Sequence, residues 1–336
     1  MVKTACHKEG LFIQSNGDVF PCCGTWNKPN MKIGNIRDND LESKIKAFSA
    51  VCKCESYELV SGSSELGRYK EINIETSYAC QATCAMCCVN APESDGYYNN
   101  ENYLALMKLL KLTNPDNIMV QGGEILVQNE TMNWISQVKQ EMSKSNITLI
   151  TNGNNIKKVE YAKETFDNIQ VSFVGFQNLT YKTLMGLDIK HTFNFCEQIF
   201  NSASSNLFIK YLLSPLNLHE LPLFIEWSMG INPKGVIIHD SNTSGYINYK
   251  TGDDYWNKII QRTREQIVKT IHNNKHIHKK YNFKKIIIGG NNIAKLLQID
   301  EKYLKNNKID DFIEIQPVNY RFINSFESDS YATKTF

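Results

Sequence analysis

From about residue 66 to residue 250, short apolar runs alternate with stretches of helical spacing, and this alternation limits the fold more than any other property of the chain. The runs cover residues 69–75, 117–121, 147–151, 169–174, 207–212 and 236–239. Between them apolar residues recur at helical intervals, as in Met132, Ile135, Val138 and Met142, and again over 221–227. Strands that alternate with helical crossovers pair in parallel and carry helices on their faces. Six such units are too few for a closed eight-stranded barrel, so the pattern predicts an open, partial (β/α)6 barrel of α/β class.

The flanks differ. Over residues 1–65 the chain is broken into short segments, and Leu11-Phe12-Ile13 and Val19-Phe20 flank Asn16-Gly17, a strong hairpin signal. As a two-residue turn this pairs Ser15 with Asp18 and puts Cys22 opposite Leu11. Beyond residue 250 the pattern is mostly helical, over 253–272 and 292–299, with Asn and Lys frequent. His272, His276 and His278 lie there among lysines and read as a solvated face. The predicted organisation is a small cysteine-rich hairpin domain over 1–65, the barrel over 66–250 and a mostly helical extension over 251–336.

The charge balance is 37 Lys plus Arg against 35 Asp plus Glu, a net +2 over 336 residues. That argues against a nucleic-acid partner, which calls for a basic face. No apolar run approaches the roughly 18 residues of a spanning helix, and Met1-Val2-Lys3-Thr4-Ala5-Cys6 starts no secretory core. A cytoplasmic protein without membrane contact is expected. In a reducing compartment, ten cysteines point to metal binding or catalysis rather than disulfides. Nine of them lie in the first 88 residues; Cys196, in an apolar stretch, reads as a small buried hydrophobe.

Cys80-Gln81-Ala82-Thr83-Cys84-Ala85-Met86-Cys87 has the spacing C-x3-C-x2-C and follows the first barrel strand, at the end where α/β barrels keep their chemistry. Three thiolates on one loop can hold three irons of a cubane cluster and leave the fourth open. A structural zinc would want a fourth ligand, and Cys88, adjacent to Cys87, is poorly placed to be one.

This loop resembles that of the radical S-adenosylmethionine (SAM) superfamily, whose TIM-like barrel the strand pattern also suits. Gln121-Gly122-Gly123-Glu124 follows the second strand, where the superfamily has Gly-Gly-Glu. Glycines let backbone approach a ligand closely, and a carboxylate pairs with the methionine ammonium. Thr151-Asn152-Gly153 ends the third strand and Ser172 lies in the fourth, as in the same superfamily. The resemblance implies a [4Fe-4S] cluster on Cys80, Cys84 and Cys87, with SAM contacted by Met86, Gly122, Gly123, Glu124, Thr151, Asn152 and Ser172. Val174 stands where many relatives have Asp, and Met185-Gly186 where many have Arg-Gly. The SAM carboxylate therefore needs another donor, Lys210 or Lys182.

The N-terminal block resembles the SPASM and Twitch auxiliary-cluster modules. Cys6, ten residues, Gly17, four residues and Cys22 match their opening, and Ile33-Gly34-Asn35-Ile36 and Cys52-Lys53-Cys54 continue it. The resemblance implies a second [4Fe-4S] cluster on Cys6, Cys22, Cys52 and Cys54, with Cys23 able to substitute in the last pair. A four-cysteine zinc site is the alternative. The module usually follows the barrel; here it precedes it. The activity implied is reductive cleavage of SAM to a 5′-deoxyadenosyl radical that abstracts hydrogen from a peptide or protein side chain. An external one-electron donor such as flavodoxin or ferredoxin would serve it. A dehydrogenase of a small alcohol, amine or sugar, and an iron–sulfur module that no longer cleaves SAM, are the other readings.

Overall fold

The computed structural model describes residues 10–22, 25, 28–48, 69–87, 89–91, 99–201, 206–231, 233–240, 254–281, 286–289, 294 and 297–316. The chain divides into two compact units, one of residues 1–82, 89–151 and 157–169, the other of residues 83–88, 152–156 and 170–336.

The first unit opens with β1 (Gly10–Ile13), β2 (Asp18–Phe20), β3 (Gly34–Asn35) and α1 (Leu41–Ala47). It continues with β4 (Glu71–Glu75), α2 (Asn100–Thr113), β5 (Asn117–Gln121), α3 (Asn129–Glu141), β6 (Asn146–Thr151) and α4 (Val159–Thr165). Strand order is β6-β5-β4-β1-β2-β3. β4, β5 and β6 pair in parallel, with Ile72 beside Ile118 beside Ile147, and Ile74 beside Val120 beside Leu149. All six side chains are buried, as expected of parallel strands covered by helices. Successive side chains point to opposite faces, so Glu71, Asn73 and Glu75 share the other face of β4.

β1 also pairs in parallel with β4, and Leu11 and Ile13 extend the apolar row beside Ile72 and Ile74. The N-terminal hairpin thus continues the sheet. Its register corrects the expected two-residue turn. Phe12 lies opposite Phe20 and Ile13 opposite Val19, which leaves a three-residue loop, Ser15-Asn16-Gly17. Gly17 takes the left-handed position (φ +86°), and the Asn16 side chain accepts from the Asp18 N–H at 2.9 Å. Continuing that count puts Cys22 opposite Gly10, one residue from the predicted partner.

α2 starts where the Asn99 side chain accepts the Asn102 N–H and ends at left-handed Asn114. Its buried residues, Tyr103, Leu106, Leu110 and Thr113 among them, recur at three to four positions. Tyr103 stacks on Trp134 of α3 at 5.1 Å.

The second unit holds most of β7 (Asn168–Phe173), then α5 (Asn178–Met185), α6 (Ile189–Phe200), β8 (Leu207–Leu213), α7 (Leu221–Ile231) and β9 (Gly235–Asp240). α8 (Asp254–Tyr281), β10 (Ile286–Gly289), α9 (Glu301–Asn306) and β11 (Ile313–Gln316) complete it. Its strand order is β7-β8-β9-β10-β11, and the pairs from β8 to β11 are parallel. Phe173 of β7 lies 5.9 Å from Phe193 of α6 and 5.7 Å from Phe224 of α7, an aromatic layer between helices and sheet.

All six predicted strands are present, each within two residues at either end. Among the described residues neither run of strands closes on itself. The C-terminal extension is dominated by α8, but it also adds two strands: Ile286, Ile287 and Ile288 are buried as β10. Half of the predicted helix over 292–299 lies outside the described residues. No helix among the described residues is long and apolar enough to cross a membrane.

The turn after β8 is tied by Asn217, which is fully buried. Its Nδ2 donates to the carbonyls of Val174 (2.7 Å) and Leu212 (2.8 Å), and its Oδ1 accepts the Ser214 N–H (2.7 Å). Asn217→Ala strands these buried groups and should cost on the order of 3 kcal/mol. The check is a lower denaturant midpoint at unchanged slope; a parental midpoint contradicts the assignment.

Candidate functional site

In the first unit the backbone beyond β4 runs beside the backbone beyond β5. Thr76 N–H donates to the Gln121 carbonyl at 2.9 Å, Gly123 N–H to Ser77 at 2.7 Å, and Glu124 N–H to Ala79 at 2.9 Å. A Cβ at Gly122 would lie 2.5 Å from the Ser77 carbonyl oxygen, and one at Gly123 would lie 2.3 Å from that of Ala79. The missing Cβ atoms of Gly122 and Gly123 let this turn approach the main chain of residues 77–79.

Glu124 is buried, and its Oε1 accepts both the Leu126 N–H (3.1 Å) and the Thr151 hydroxyl (2.7 Å). Two predicted site residues, one from each of two neighbouring strand ends, are thus in direct contact.

The second unit holds the other half of the cysteine loop. Thr83 N–H donates to the Met185 carbonyl (3.0 Å), Ala85 N–H to Leu184 (2.9 Å), and Cys87 N–H closes a turn on Cys84 (3.1 Å). At Met185-Gly186, where the sequence departs from the expected Arg-Gly, it is the Met185 main chain, at the end of α5, that meets the loop. Gly186 has φ +75°, and a Cβ there would lie 2.3 Å from the Thr83 hydroxyl. The other end of α5 is fastened by Glu220, fully buried, whose Oε2 accepts the N–H groups of Phe176 (2.6 Å) and Gln177 (3.1 Å). The Thr180 hydroxyl donates to its Oε1. A carboxylate at a helix N-terminus is favoured by the helix dipole.

The remaining predicted contacts are spread over this unit. The Asn152 side chain accepts the Asn154 N–H (2.9 Å), and its carbonyl accepts the Thr192 hydroxyl (3.0 Å). Ser172 lies half-buried in β7 and Lys210 half-buried in β8, while Lys182 is exposed on α5. Met86 is half-buried in the Cys84–Cys87 turn.

Cys22, Cys80, Cys84 and Cys87 are partly exposed thiols. The Cys80 sulfur accepts the Ala82 N–H at 3.3 Å, and the Cys22 sulfur lies 3.9 Å from the Thr25 hydroxyl. Among the described residues no three His, Cys, Asp or Glu side chains converge to hold a single ion. A cubane takes each cysteine at a separate iron. Cys84 and Cys87, partly exposed soft donors in one turn of the second unit, suit such a group. Cys6, Cys23, Cys52, Cys54 and Cys88 lie outside the described residues. Cys196 is fully buried, and burial pushes its thiol pKa far up, as suits an inert hydrophobe.

Residues 6–88 match the SPASM iron–sulfur cluster-binding domain, a range that runs from Cys6 through the loop of Cys80, Cys84 and Cys87. The fold is similar to that of SuiB from Streptococcus suis bound to precursor peptide SuiA, with 14% identity and a TM-score of 0.52 over 79% of this chain and 66% of that one. The structure of anSMEcpe with bound AdoMet shows 15% identity and a TM-score of 0.49 over 62% of each chain. The chain spans 62–66% of the length of these solved chains. No curated protein sequence matches it. The N-terminal resemblance to an iron–sulfur cluster-binding module therefore holds over residues 6–88, and the fold is similar to that of SuiB.

Three groups that hold this site had no sequence signal that singled them out: Glu220, Gln128 and Glu75. Glu75 ends β4, is 8% exposed, and accepts the Tyr78 hydroxyl at 2.9 Å. Burial raises its carboxyl pKa from 4.5 to about 7, against the lowering effect of the Tyr78 bond. Between those values the folded chain keeps a proton that the unfolded chain has lost. The stability this provides is full below 4.5 and is lost as pH rises through 7. Glu75→Gln should leave the melting temperature nearly unchanged at pH 4.5 and raise it at about pH 8. An equal difference at both pH values contradicts a buried neutral acid.

Proposed function

We propose that this chain is a SAM-dependent radical enzyme acting on a peptide or protein side chain. Cys80, Cys84 and Cys87 are the residues proposed to hold a [4Fe-4S] cluster with one open iron. Glu124 receives the SAM ammonium, Lys210 the SAM carboxylate, and Met86, Asn152 and Ser172 line the cofactor. Cys6, Cys22, Cys52 and Cys54 hold the auxiliary cluster. Held by Cys80, Cys84 and Cys87, a cluster of this kind would supply one electron to the SAM sulfonium, giving methionine and a 5′-deoxyadenosyl radical that would take a hydrogen atom from substrate. The protein holds and orients these groups. A flavodoxin or ferredoxin in the cytoplasm fits as the electron source.

One observation carries this reading: the segment leading from β4 to Cys80 and the Gly-Gly-Glu turn follow neighbouring parallel strands and are bonded main chain to main chain at Ser77 and Ala79. That adjacency supports pairing Cys80, as proposed cluster ligand, with Glu124, as proposed ammonium-binding carboxylate. The peptide substrate draws support from SuiB, whose structure holds a precursor peptide. The family match concerns iron–sulfur binding alone, which favours as second reading a module that binds clusters without cleaving SAM.

The triple variant Cys80→Ala, Cys84→Ala, Cys87→Ala separates the two. Under anaerobic reduction the parent should form 5′-deoxyadenosine, and the variant should form none while it retains about four irons of the auxiliary cluster. Parental 5′-deoxyadenosine from the variant contradicts the ligand assignment. None from the parent leaves the binding module.

A further inference from the structure

Gln128 lies between the Gly-Gly-Glu turn and α3, is buried, and has its whole amide engaged. Its Nε2 donates to the carbonyls of Ser77 (3.0 Å) and Ala79 (3.1 Å), the two that also accept Gly123 and Glu124 N–H. Its Oε1 accepts the hydroxyls of Thr76 (3.1 Å) and Thr131 (2.8 Å). Thr131 is tied in turn to the Tyr103 hydroxyl at 2.9 Å. Only a primary amide presents two donors to two carbonyls while accepting two hydroxyls. A carboxylate in its place would face two carbonyl oxygens, and an apolar side chain would meet neither need.

We infer that Gln128 is a positioning residue for the cysteine loop: it fixes the main chain of residues 76–79, and through it the presentation of Cys80 to the cluster. This rests on the cluster assignment proposed above. The Ala82 N–H bond to the Cys80 sulfur lies just downstream, and hydrogen bonds to cluster sulfurs set reduction potential. Gln128 therefore tunes the cluster without ligating it.

The test uses Gln128→Met, which keeps the volume and removes every polar contact, with Thr131→Val and Thr131→Ser beside it. In the full chain without metal, Gln128→Met should speed amide hydrogen exchange over residues 76–82 and 122–124 about tenfold, with β6 unchanged. In the reconstituted protein, iron content should match the parent while the potential of the SAM-dependent cluster shifts. Thr131→Val should move both readouts the same way by less, and Thr131→Ser should restore the parent values. Exchange at the parent rate overturns the inference, and so does altered exchange with a parental potential. If Gln128→Met does not fold, the Thr131 pair decides on the same criteria. A parent that holds no SAM-dependent cluster sinks the functional reading, and the clamp on residues 76–79 then stands or falls on exchange alone.

Discussion

Two main-chain hydrogen bonds beyond the ends of β4 and β5, from Gly123 to Ser77 and from Glu124 to Ala79, set the approach of the cysteine loop to the Gly-Gly-Glu turn. They form only because positions 122 and 123 lack a Cβ, which would press into carbonyl oxygens at 2.5 and 2.3 Å. Any other residue must push the strands' extensions apart. From this contact follow the burial of Glu124, its bond to Thr151, and the direction in which the chain enters Cys80.

The second half of the loop depends on a separate set of anchors. Asn217 ties the carbonyl of Val174 at the end of β7 to the turn after β8, and Glu220 from the same turn caps the start of α5. α5 then presents the Leu184 and Met185 carbonyls to Ala85 and Thr83. A buried carboxylate that accepts two N–H groups and a hydroxyl is a costly group to desolvate, and it is tolerated where each lone pair finds a donor. Cys80, Cys84 and Cys87 are partly exposed.

Much of this was legible in the residues. The strands emerge because one face of each is apolar at every second position, as Ile72 and Ile74, Ile118 and Val120, and Ile147 and Leu149 are. The cysteine loop and Gly122-Gly123-Glu124 were visible as spacing. What the glycines do was not, because their crowding comes from residues 77–79, some 45 positions away in sequence. The hairpin register slipped by one because Gly17 serves a three-residue loop, and turn length cannot be told from Asn16-Gly17 alone. Gln128 and Glu220 are single polar residues whose partners lie about 50 and 43 positions upstream, so no local pattern marks them. β10 was missed for its brevity, four residues after a long polar helix.

The central claim is that the loop of Cys80, Cys84 and Cys87 carries a cluster with an iron open to SAM. Electron paramagnetic resonance of the anaerobically reduced protein, with and without SAM labelled with 15N at its amino group, tests it most directly. An iron open to SAM should give a SAM-dependent change in one cluster's spectrum and a resolved coupling to the labelled nitrogen. Spectra that SAM leaves unmoved, in a protein with its full iron content, would contradict it.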